Sequence, residues 1–125
     1  MAPEGFELAA LLHDASEAYI TDIASPIKQH LMDYVELEDM LMTRIASRYG
    51  FDYPLNPLIK QLDLTMLSTE AHYLMKSKGN TWDLWTDRKR PQIQHNFKPI
   101  GMAPATAKEV FLDRYYELQK QYGTN

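Results

Sequence analysis

Apolar residues recur at helical spacing along most of the chain. Leu8, Leu11, Leu12, Ala15, Ala18 and Tyr19 predict one buried helix that stops near Tyr19–Ile20. Ser25–Pro26 then offers a helix start, with serine as cap and proline in the first turn, and a short helix or turn follows through Leu31. From Met32 to Tyr49 the pattern is longest, with Tyr34, Leu37, Met40, Leu41, Ile45 and Tyr49 on one side and Gly50 as C-terminal cap. After a proline-bearing connection, a helix from about Pro57 to Lys76 carries Leu58, Leu62, Met66, Leu67, Ala71, Leu74 and Met75 as its apolar face. The stretch from Ser77 to Pro104 has no sustained period and is broken by Gly, Asn and Pro. It is long for a loop, so it is expected to be functional or to pack through Trp82, Trp85 and Phe97. A last helix spans Ala105 to Tyr122, with Ala107, Val110, Phe111, Tyr115 and Leu118 inward. With no strand pattern and no repeat, residues 1–125 read as a single all-α domain.

Composition narrows the classes. The 125 residues are 45% hydrophobic and 24% charged, as expected of an ordinary globular chain. A net charge of -4 gives no general attraction to nucleic acid. No apolar run approaches a membrane span and no signal-peptide pattern opens the chain, so a cytoplasmic location is the expectation. The absence of cysteine removes thiolate metal sites, which leaves histidine and carboxylates as the available ligands.

The chemistry concentrates in the first helix. His13, Asp14 and Glu17 interrupt its apolar stripe, with Asp22 just beyond. Gathering an imidazole and carboxylates in a buried place is costly without a positive partner, and a divalent metal suits both ligand types. A solvated acidic edge with His13 half buried fits the spacing equally well. Asp63 similarly interrupts Ile59–Leu67 on a later helix, where it either pairs with Lys60 or caps a kink, or points inward as a further ligand.

An adjacent His-Asp on one helix and a lone Asp on a later one resemble the HD-domain metal-dependent phosphohydrolase superfamily. The block Ala10 to Tyr19, with Asp22–Ile23 and Ser25-Pro26-Ile27-Lys28, is similar to 5'-deoxynucleotidase-like HD proteins, particularly small variants of phages and prophages. The similarity continues through Asp63–Leu64, Thr69-Glu70-Ala71 and Phe111 to Tyr115. It implies an HD-type helical bundle, with His13, Asp14 and Asp63 holding a divalent ion, whether Mn, Co, Mg, Zn or Fe. Asp14 and Glu17 would be catalytic, Glu17 as proton donor or water-positioning residue. Asp22 would approach the sugar of a nucleotide or other phosphate-ester substrate, and Lys28 could meet its phosphate.

The superfamily pattern has a further metal-binding histidine on a preceding helix, whereas only twelve residues precede His13. The expectation is therefore an N-terminally shortened HD domain. The alternative is an impaired remnant that binds a nucleotide or a protein. His30, His72 and His95 read as surface or structural histidines. A missing helix would bare apolar surface and favour a homodimer. Trp82, Trp85, Arg88, Lys89 and Arg90 could stack on bases and meet phosphates. The reading preferred is tryptophans covering the end of the bundle beside a solvated basic run, with nucleic acid unlikely as a partner.

Overall fold

The computed structural model describes residues 1–122, which form five α-helices and two short 3-10 segments, with no strand among them. The helices are α1 (Glu7–Leu11), α2 (Ser25–Lys28), α3 (Met32–Tyr49), α4 (Pro57–Leu74) and α5 (Pro104–Tyr122). The all-α expectation holds. Helix α1 lies at the centre, packed against both α4 and α5, while α3 lies against α2 and the 3-10 segment Ala15–Ala18. Leu8, Leu12 and Leu118 form the buried core, with Leu11, Ala15, Phe51 and Tyr115 packed around them.

Local signals set the helix ends well. Gly50 closes α3 with φ 80°, a left-handed conformation that glycine adopts without steric cost. Asn56 caps α4 by accepting from the Leu58 N–H, and Pro57 follows in the first turn.

The first helix departs from expectation in a way that matters for the site. It does not run on to Tyr19: it stops at Leu11, and a turn at Leu12-His13-Asp14 leads into the 3-10 segment. His13 Nδ1 donates to the Ala10 carbonyl at 2.7 Å, and the next backbone bonds close three residues apart, from Ala15 N to Leu12 O and from Glu17 N to Asp14 O. Glu17 is therefore not placed by α-helical spacing from His13, and Tyr19 is 69% exposed rather than buried.

Three other faces are also turned. The buried residues of α3 are Met42, Ile45 and Ala46, whereas Leu37 and Met40 are exposed. Helix α4 buries Ile59, Ser68, Thr69 and Ala71 and leaves Leu74 and Met75 exposed. On α5 only Leu118 is fully covered, while Ala107, Val110 and Phe111 face solvent. Both α3 and α5 carry apolar residues on more than one side, so the position of the neighbouring helices decides which side is covered.

The long segment after α4 is ordered by one cation. Arg90 donates from Nε to Ser68 Oγ at 2.7 Å, from Nη1 to Asn80 Oδ1 at 2.8 Å, and from Nη2 to the carbonyls of Ser68 and Lys78 at 3.1 and 2.7 Å. Its guanidinium lies over Trp85, which stacks on Trp82. Thr69 Oγ1 accepts from the Gln94 backbone, fixing a second point of the segment on α4. The tryptophans pack on each other and, through Trp85, on Gly79 and Arg90, so Arg90 is no solvated member of a basic run.

Candidate functional site

The break after α1 aims His13 at α4. Because the Ala10 carbonyl can only accept, Nδ1 carries the proton of this contact, and in a neutral ring Nε2 would present a lone pair. That Nε2 is buried and has no hydrogen-bond partner. Two carboxylates stand next to it, Asp14 Oδ2 at 3.1 Å and Asp63 Oδ1 at 3.6 Å. A lone pair facing two anions is an unfavourable arrangement until a proton or a cation lies among them. The site thus joins the turn after α1 to the first half of α4, as the placement of Asp63 in an apolar stretch suggested.

Asp63 also keeps the alternative partner that its sequence context offered. Its Oδ2 accepts from Lys60 Nζ at 2.8 Å, one turn earlier on α4. Its two oxygens therefore face different groups, Oδ2 the Lys60 ammonium outward and Oδ1 the His13 ring inward. Lys60 is 70% exposed, so the outward pair is screened by solvent and weak. Among the described residues, no three His, Asp or Glu side chains are gathered as a ready-made cage for an ion. Short of such a cage, His13 Nε2 has one oxygen of Asp14 and one of Asp63 nearby, residue types that can ligate a divalent cation.

A cavity of 190 Å³ opens beside His13 and Asp63, walled by Met1, Ala2, Ala10, Ile59, Leu62 and Met66. Its apolar lining lowers the local polarizability and strengthens any charge interaction at the two polar groups. A larger cleft of 470 Å³ lies elsewhere, between Phe6, Phe51, Pro54 and Tyr122, and contains none of the candidate ligands.

Glu17, Asp22 and Lys28 form a second group. The pKa of Glu17 is raised by desolvation first and then by the charges of Asp14 and Asp22, with Lys28 opposing. A carboxyl held towards its neutral form is suited to proton donation. Lys28 pairs with Glu38 on α3 at 3.0 and 3.3 Å, and its pKa is raised chiefly by that hydrogen bond. A phosphate would meet this ammonium only in competition with Glu38. Tyr34, whose ring lies 5.7 Å from Lys28 Nζ, donates its hydroxyl to the Thr21 carbonyl. Glu38 and Tyr34 were missed from the sequence; their separation by one helical turn was legible, but nothing local marked them as partners of a lysine ten residues away.

The other histidines lie outside this group. His95 accepts or donates at Nδ1 with the Tyr73 hydroxyl at 2.8 Å, and His72 makes edge contacts with both rings. Burial lowers the pKa of His72, with Lys78 next in effect.

In sequence the chain is similar to two uncharacterized proteins. The chain is 32% identical over 120 residues to the uncharacterized protein YfdR of Escherichia coli K12, a match that covers 96% of the chain and 66% of YfdR. It is 36% identical over 76 residues to an uncharacterized protein of Rhodobacter capsulatus, covering 57% of the chain and 39% of that protein. No family model matches the chain. No solved structure matches it either. The chain therefore spans just under two thirds of YfdR and a smaller share of the second relative.

Proposed function

We propose that the chain is a metal-dependent phosphohydrolase of HD type that acts on a phosphate ester of a nucleotide, in the manner of a 5'-deoxynucleotidase. The observation that carries this reading is the buried, unpartnered His13 Nε2 between Asp14 and Asp63. His13, Asp14 and Asp63 would hold a divalent ion, which when bound supplies Lewis acidity toward a phosphoryl oxygen and lowers the pKa of water. The Ala10 carbonyl orients the imidazole by fixing its tautomer, as the outer partners of metal-bound histidines do. Glu17, whose pKa is shifted upward by burial and by neighbouring acids, would donate a proton to the leaving oxygen. Asp22 accepts from a sugar hydroxyl, and Lys28 faces the substrate with its charge shared with Glu38.

The test is phosphate release from a panel of nucleotides with Mn, Co or Mg, for the wild-type chain and Asp14→Ala. Release that depends on metal and is lost in the variant supports the reading. No release with any metal, and no difference between the two proteins, rejects it.

A second reading has one observation of its own. Val110, Phe111, Leu112 and Tyr116 of α5 are exposed together with Ile100 and Met102, a surface that suits a helical module binding another protein. Metal analysis separates the two: a stoichiometric ion lost in His13→Ala supports hydrolysis, and a folded, metal-free chain supports the module.

A further inference from the structure

We propose that His72 and His95 form a second metal site, which takes a transition-metal dication of the nickel, copper or zinc class and joins α4 to the segment that follows it. The pair lies apart from His13, Asp14 and Asp63 and does not rest on the phosphohydrolase reading.

Three rings build the site. His72 and Tyr73 stand side by side in the last turn of α4, and their rings meet edge to face with centroids 4.9 Å apart. His95 comes from the segment after α4, its ring centroid 6.1 Å from that of His72 and 6.2 Å from that of Tyr73. The Tyr73 hydroxyl lies 2.8 Å from His95 Nδ1. Among the described residues no other hydrogen bond reaches either imidazole, so His95 Nε2 and both nitrogens of His72 are open to a ligand. His72 is half-buried and His95 exposed, so an ion can arrive from solvent and keep water in its remaining positions.

The fold brings the pair together before any ion binds. Arg90 is bonded to Ser68, and the Gln94 N–H to Thr69, which pins the segment on α4 one residue before His95. Ligands held in place this way lose little further freedom on binding. Imidazole nitrogens bind zinc at about 2.0–2.1 Å, which sets two ring centroids on one ion about 5 Å apart. The observed 6.1 Å closes by rotation of the exposed His95 ring.

The donor set selects the ion. Neither histidine is in salt-bridge contact with a carboxylate among the described residues, whereas His13 meets two. Hard ions such as magnesium require oxygen ligands, while imidazole suits nickel, copper and zinc. Lys78 and Arg90 act on His72 as positive charges and oppose a cation there. That opposition falls on every dication, so the ions with strong bonds to nitrogen are the ones that overcome it.

Calorimetric titration of the full chain, free of any histidine tag, with nickel chloride tests the assignment. Wild type and Asp14→Ala are expected to bind nickel alike at this pair. His72→Gln and His95→Gln are each expected to bind it at least about tenfold more weakly, and His30→Gln to leave the affinity unchanged. Nickel should also raise the thermal unfolding midpoint of wild type and of neither His72→Gln nor His95→Gln. Circular dichroism confirms that each variant is folded, and His95→Gln, at an exposed position, decides the matter should His72→Gln unfold. Unchanged nickel affinity in either folded variant overturns the pair, as does a folded wild type that binds no nickel. Binding lost in Asp14→Ala but kept in both histidine variants assigns the ion to His13; this inference then fails and the phosphohydrolase reading stands.

Discussion

Two cationic or potentially cationic side chains are directed at α4 from opposite directions in the chain, and they are treated in opposite ways. Arg90 reaches Ser68, Lys78 and Asn80 with hydrogen bonds from three of its nitrogens and rests on Trp85. His13 has one nitrogen satisfied by Ala10 and the other buried without a partner beside two acids. A satisfied network fixes a loop and asks for nothing further; a buried nitrogen left open costs free energy that only an added proton or ligand returns. The difference separates a charge whose bonds are complete within the fold from a polar atom whose bonding is left open.

That contrast can be broken at either side. The largest effect is expected from Arg90→Ala, which removes four hydrogen bonds, two to Ser68 of α4 and two within the segment that follows it, leaving Ser68 Oγ with the Pro91 carbonyl alone; unfolding by urea should show a loss of about 3 kcal/mol. A variant as stable as wild type would remove Arg90 from its structural role. Asp14→Ala is expected to lower phosphate release at least about a hundredfold while changing stability by under about 0.5 kcal/mol, because Asp14 is 62% exposed. A large stability loss there would make the acid a structural partner of His13 and collapse the contrast.

Smaller effects sharpen it. Lys60→Met frees Asp63 Oδ2 from its outward partner, and manganese affinity measured by calorimetry should rise about threefold. An unchanged affinity would show that Asp63 takes no part in holding an ion. The smallest effect concerns Glu17, whose pKa is raised in the fold. The native chain then keeps a proton that the unfolded chain has already released, so stability falls as pH rises from about 4.5 through the raised value and levels off above it. Glu17→Gln should flatten that part of the pH–stability curve, and an identical curve would show that the carboxyl is not held neutral.

Helix ends and ligand candidates were readable because their causes are local or compositional. Pro57 after Asn56 and Gly50 after Tyr49 act on their own backbone, so α3 begins and ends where the pattern placed it and α4 differs by two residues at its end. An acid within Ile59–Leu67 stood out whatever surrounded it, and Asp63 does approach His13. The break at Leu12–Asp14 was hidden because Leu8, Leu11, Ala15 and Ala18 keep a helical period through it; a side chain taking the Ala10 carbonyl leaves no mark in that period.

By itself the sequence determined the all-α class, the extents of the long helices and the residue types able to grip a cation, since these follow from propensity, capping and the cost of placing charge among apolar neighbours. Only the tertiary structure decided which face of α3 and α5 is covered, that Arg90 belongs to α4 rather than to solvent, and that Lys28 is matched by Glu38. Burial and pairing depend on which elements meet, and residues far apart in the chain carry no local trace of one another.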